Sequence, residues 1–139
     1  MVIENKIIMG QVDSFGGVMH LPLHWVSVMI NFQQLQILYG DSLGQEMPKC
    51  ERQACECWLS HLTTKSSHIP AHTRITLHQL PTGYQEDSSS CGLFALNSIS
   101  HHYLECQLLS PDPAILASYQ MEIALNIINT MMVCIFDIV

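Results

Sequence analysis

Apolar positions along the 139-residue chain fall into runs whose period changes from two to about 3.6. His24-Trp-Val-Ser-Val-Met-Ile-Asn31 is rich in β-branched residues and gives way to a polar Asn-Phe-Gln-Gln turn, after which Leu35-Gln-Ile-Leu-Tyr-Gly40 resumes the pattern. Two strands joined as a hairpin in a central sheet are predicted. In an antiparallel hairpin the start of the first strand and the end of the second share one edge. His24 and Asp41, distant in sequence, are therefore expected side by side.

Between Pro48 and Leu62, Cys50, Ala54, Cys57, Trp58 and Leu62 recur at steps of three and four, which predicts an amphipathic helix packed on the sheet. Ser66 to Thr73, with Pro70, reads as a loop, and Ile75 to Leu80 alternates like a strand. Pro81-Thr-Gly83 and Asp87-Ser-Ser-Ser90 mark a further loop. From Cys91 to about Cys106, Leu93, Leu96, Ile99, Tyr103 and Leu104 fall at helical spacing, so Cys91 is expected in the first turn with Ser88 to Ser90 as candidate caps. Pro111-Asp-Pro113 precedes a last helix predicted from Ala114 to Ile128. The apolar tail from Ile127 to Val139 is interrupted by Asn129, Thr130 and Asp137; it falls short of the roughly 20 apolar residues a bilayer demands. It is expected to be a buried final element, and no membrane partner is expected.

Size predicts one domain over residues 1–139, with a core over about 23–130 and residues 1–22 as a short N-terminal remnant. Twelve acidic against five basic residues give a net charge of −7, which argues against nucleic acid as a partner because phosphate contacts need clustered Lys and Arg. Six cysteines without a secretory leader point to reduced thiols and an intracellular location, in nucleus or cytoplasm. A monomer without cofactor is expected. Zinc is not expected either: Cys50, Cys55 and Cys57, with His61, His68 and His72 nearby, lack the paired spacing of zinc sites, and Cys55 and Cys57 would point to different helix faces.

The candidate chemistry centres on Cys91. A free thiol has a pKa of about 8.5, and both the amide groups at a helix start and a neighbouring imidazolium favour the thiolate. His24 is the candidate base, Asp41 the group that would hold its tautomer, and Gln85, six positions before Cys91, a candidate oxyanion donor beside the Cys91 N–H. The reaction class implied is acyl transfer, most simply hydrolysis of a peptide or isopeptide bond.

His24-Trp25, Asp41-Ser42 and Gln85 followed after five residues by Cys91-Gly92 resemble the catalytic domain of the ubiquitin-like-protein (SUMO/sentrin-type) cysteine proteases, over about Leu23 to Ile128. The resemblance implies an α+β fold of the papain-like cysteine protease type, with a central, mostly antiparallel sheet flanked by helices and an N-terminal part apparently truncated. It also implies a catalytic triad of Cys91, His24 and Asp41, with Gln85 as oxyanion residue and Trp25 lining a tunnel for a Gly-Gly tail. The partner implied is a ubiquitin-like modifier or its conjugates, which the chain would process or deconjugate as a cysteine-type peptidase. Two departures stand out: only 23 residues precede His24, where family members carry recognition surface and a second tunnel Trp, and Ser90 occupies a position where many have Asp. The alternative implied by the short front end is a degenerate member that binds a modifier without turnover.

Overall fold

The computed structural model describes the backbone of residues 2–136 and the side chains of 3–129. The described residues form, in chain order, α1 (Val2–Ile8), β1 (Ser14–Leu21), β2 (His24–Asn31), β3 (Gln36–Gly40), α2 (Lys49–Lys65), β4 (Thr76–Gln79), α3 (Cys91–Leu104) and α4 (Pro113–Phe136). The strands form one sheet in the order β1-β2-β3-β4, antiparallel at the first two pairings and parallel at the third. The predicted hairpin is β2 and β3, paired from Asn31↔Gln36 to Ser27↔Gly40.

Side chains alternate between the faces of a strand, and β2 shows what each face meets. Val26 and Ile30 are buried in a cluster with Leu59 and Leu62 of α2, Ile7 of α1, and Phe32, Leu35, Ile37 and Met47. Trp58 of α2 closes it with an edge-on contact to Phe32, ring centres 5.9 Å apart. Ser27 and Met29 face the opposite way, toward α3. That helix crosses β1 so closely that a Cβ on Gly16 would lie 3.1 Å from the Tyr103 ring and 3.3 Å from Ile99. The sheet is thus sandwiched between α2 and α3. Phe94 of α3 forms a second, smaller cluster with Leu109 and Leu116 beneath α4.

The structure corrects several expectations. Residues before 23 are built into the fold: β1 pairs along the whole of β2, from Ser14↔Asn31 to Leu21↔His24, and Ile7 and Leu21 are core residues. The buried stripe of α2 runs through Leu59 and Leu62 with Cys55 and Trp58 packed beside it, while Cys50, Ala54 and Cys57 lie exposed, because the large side chains set the helix phase. In α3 the buried positions are Cys91, Phe94, Ala95, Asn97 and Ser98, and Leu96 and Leu104 face outward. The last helix continues past Ile128 to Phe136. Ile127 and Ile128 are more than half exposed, so this part of the tail is not buried. The tail's remaining side chains, Cys134 and Asp137 included, lie outside the described residues. No described helix is long and apolar enough to cross a membrane.

Candidate active site

The β2–β3 register places His24 and Asp41 together. Continued one step past Gly40, it sets Asp41 opposite Val26, so Asp41 and His24 are diagonal neighbours on one face of the sheet. His24 Nε2 lies 2.8 Å from Asp41 Oδ1, with the Asp41 side chain only 1% exposed and that of His24 11%. The Leu43 amide donates to the same oxygen at 2.7 Å, and the Tyr39 hydroxyl donates to Oδ2 at 3.3 Å. Tyr39, two residues back on the same strand face, is held protonated: burial first, then the Asp41 charge, pushes its phenol well above the usual range. The carboxylate is thereby fixed from three sides. With Nε2 turned to Asp41, Nδ1 is the nitrogen left to take a proton from another group.

Cys91 enters from the other end of the chain. It is the first residue of α3, 7% exposed, and α3 packs against β2. The next residue, Gly92, lies against Trp25, whose ring a Cβ there would meet at 3.9 Å; the thiol is thus carried to the end of β2 that begins with His24. No hydrogen bond engages the Cys91 thiol among the described residues. Trp25 is 42% exposed and is backed by His20, its cross-strand partner in β1, with ring centres 4.6 Å apart.

The loop before Cys91 is built on Gln85 and Asp87. Gln85 is buried; its Oε1 accepts from the Ser42 hydroxyl at 2.7 Å, its backbone N–H donates to Ser42 O at 2.9 Å, and its Nε2 donates to the Asp87 carbonyl at 2.7 Å. The Gln85 side-chain amide also reaches the Asp87 carboxyl group. The expected serine cap takes a different form. Ser90 is the N-cap residue, but its hydroxyl is donated to the Asp87 carboxylate, which also accepts the Ser89 and Ser90 amides. These bonds, the Ser90 hydroxyl foremost, hold the Asp87 carboxyl below the usual carboxylate range.

Sequence reasoning named His24, Asp41, Gln85, Cys91 and Trp25. It missed the roles of Tyr39, Ser42 and Asp87, which hold Asp41 and Gln85. Tyr39 could have been found from its two-residue spacing to Asp41, and Ser42 from its place directly after that residue. The five described cysteines are free thiols. Among the described residues no group of three or more His, Cys, Asp and Glu side chains is arranged to hold a metal. His101, half-buried, bonds through Nδ1 to the Cys106 carbonyl and closes the end of α3.

Helices on both faces of a largely antiparallel sheet, with a His–Asp pair at a strand end and a cysteine at a helix start, define a papain-like α+β fold. Residues 11–130 match the family model described as the Ulp1 protease family, C-terminal catalytic domain, and the chain belongs to that family. Among solved structures it is similar to the C-terminal Ulp1 protease domain in complex with Smt3, the yeast ortholog of SUMO, at 20% identity and a TM-score of 0.57, covering 85% of this chain and 54% of that one. It is also similar to the SUMO protease Ulp1 with its catalytic cysteine oxidised to a sulfenic acid, at 19% identity and a TM-score of 0.63, covering 88% and 56% respectively. The chain therefore spans a little over half the length of the solved chains it matches. Comparison with curated protein sequences finds no match.

Proposed function

We propose that the chain is a cysteine peptidase domain that hydrolyses the bond after the C-terminal Gly-Gly of a ubiquitin-like modifier, with Cys91 as nucleophile, His24 as base, Asp41 as its orienting acid and Gln85 as oxyanion donor. The observation that carries this is the buried 2.8 Å contact from His24 Nε2 to Asp41 Oδ1, which leaves Nδ1 as the proton acceptor on the strand against which the Cys91 helix packs. Membership of a protease family and the partner of the similar Ulp1 structure support the same reading.

In this mechanism His24 Nδ1 takes the thiol proton and the Cys91 sulfur attacks the carbonyl carbon of the terminal glycine. The carbonyl π electrons move to oxygen, where the Cys91 N–H and the Gln85 side-chain amide receive the charge; loss of one such donor typically costs about 2.7–4 kcal/mol. The imidazolium returns its proton to the leaving amine as the C–N bond breaks, and water then hydrolyses the thioester. Trp25 would line the approach of the Gly-Gly tail. Because the thiol must remain reduced, a reducing compartment, nucleus or cytoplasm, suits this chemistry.

The test is labelling with an electrophile carried on the C-terminus of a SUMO-type modifier. An adduct on the wild-type chain that is absent from Cys91→Ala is expected; no adduct, or an equal one on the variant, sinks the proposal. A second reading is modifier binding without turnover, which predicts saturable binding of the modifier and no cleavage. Saturable cleavage of a modifier-linked fluorogenic peptide would dispose of it.

A further inference from the structure

The chain has only five basic side chains against twelve acidic ones, yet three of the five, Lys49, Arg52 and Arg74, line a single cavity of about 780 Å³. This cavity lies between the start of α2 and β4, and its far wall is formed by Tyr39 and Asp41. Arg52 is engaged by Glu56 at 2.8 Å. Lys49 and Arg74 are exposed and have no ion-pair partner among the described residues. Of the two carboxylates in the lining, Asp41 is buried and already bonded to His24, Leu43 and Tyr39, so the exposed Glu46 is the one negative group opposing them. In a chain of net charge −7, this is where an anionic partner meets local attraction rather than repulsion.

The cavity also runs along a sheet edge. All five residues from Ile75 to Gln79 line it, and a strand that offered only one face would present every second residue. Among the described residues β4 pairs with β3 alone. The Thr76 amide donates to Leu35 O and the Leu80 amide to Tyr39 O, so the even-numbered amides point to β3. In a parallel ladder the intervening residues point the other way, which turns the N–H and C=O of Leu77 and Gln79 to the cavity. Met47, Ile75 and Leu77 add an apolar floor.

We propose that this cavity binds an extended acidic segment of a partner polypeptide, its main chain pairing with the free edge of β4 and its carboxylates meeting Lys49 and Arg74. Adding a strand to an exposed edge supplies main-chain bonds, and alternate side chains supply selectivity. At four residues, β4 offers only a short ladder, so the cations carry the selection, and acidic residues alternating with apolar ones fit best. The site does not depend on the proposed peptidase reading, because it is measured without turnover.

The experiment uses the whole chain and fluorescence anisotropy with a fluorescein-labelled (Glu-Val)4 peptide. Saturable binding is expected, weakening as salt rises because the contacts are exposed ion pairs. A Lys49→Glu/Arg74→Glu double variant, shown folded by circular dichroism, should bind at least tenfold more weakly, and so should a probe N-methylated at alternate amides. No binding, equal binding of (Lys-Val)4, or a charge-reversed variant that binds as tightly as wild type overturns the proposal. Equal competition by a uridine oligonucleotide also overturns it, in favour of a general anion patch. Should the variant fail to fold, amide shift changes in the wild-type chain decide the matter: changes centred on Leu77 and Gln79 support the site, and changes confined elsewhere reject it.

Discussion

Ser42 and Gln85 are tied to each other twice, the Ser42 hydroxyl donating to Gln85 Oε1 at 2.7 Å and the Gln85 amide donating to Ser42 O at 2.9 Å. The first bond fixes which end of the Gln85 side chain is the donor. Since Ser42 follows Asp41, one dipeptide holds both the His24 ring and the Gln85 amide. Replacing Ser42 by Ala leaves the Gln85 oxygen buried without its partner, a cost of about 1–3 kcal/mol. Urea unfolding should show this loss, and on the proposed mechanism Ser42→Ala should lower kcat more than it raises KM.

Asp41→Asn keeps the size of the side chain but changes what it offers to His24 Nε2. The Leu43 N–H keeps the amide oxygen at Nε2, so the tautomer stands and what is lost is the negative charge that steadies the His24 imidazolium. On the peptidase reading, turnover should fall by a factor on the order of 10–100, the worth of a charged hydrogen bond of about 1.5–3 kcal/mol. NMR of the imidazole nitrogens should show the tautomer unchanged.

Gly83→Ala should destabilise the fold. A Cβ at that position would overlap the Leu109 carbonyl oxygen and come within 2.9 Å of the Phe94 ring. Overpacking of this kind costs about 1–3 kcal/mol. Thermal unfolding should shift down by several degrees, and an unchanged Tm would show that the loop before Gln85 can yield.

Asp87 predicts a pH dependence whose sign follows from its lowered folded-state pKa. Its contribution to stability is fully present above the unfolded carboxylate value of about 3.9 and is lost as pH falls through the lower folded value. The stability difference between wild type and Asp87→Asn should therefore be constant above about pH 5 and shrink in acid. A difference that is the same at every pH would show that the Ser89 and Ser90 bonds do not depend on the charge.

The hairpin and its His–Asp contact were legible because β2 is a β-branched run, a polar turn separates the strands, and register then follows. β1 was not legible. Gly16 and Gly17 weaken strand propensity, and the reason for Gly16 is tertiary: α3 crosses there, and a Cβ would press within 3.1 Å of the Tyr103 ring. The phase of α3 misled because two of its buried positions are polar. Asn97 accepts the Leu109 amide at 2.8 Å and donates to Gln107 O at 3.1 Å, while Ser98 donates to Pro81 O at 2.6 Å. Hydropathy cannot register side chains buried for their hydrogen bonds. For α2, Cys50, Ala54 and Cys57 scored as apolar, yet they are too small to outweigh Trp58, Leu59 and Leu62. The residues proposed to act were visible one by one in the sequence, whereas those that hold them became visible only in three dimensions.

The His24–Asp41 contact has a consequence for the order of assembly. It closes a loop of seventeen residues inside one hairpin, whereas Cys91 lies fifty residues further along the chain than Asp41. Contacts of short sequence separation have the smaller entropic barrier to closure. The imidazole–carboxylate pair can thus form with β2 and β3 alone, while on the proposed reading the thiol joins it only when α3 packs on the sheet. A nascent chain would then carry an unactivated cysteine until its sheet is covered, and the residue proposed as nucleophile would be the last part of the site to arrive.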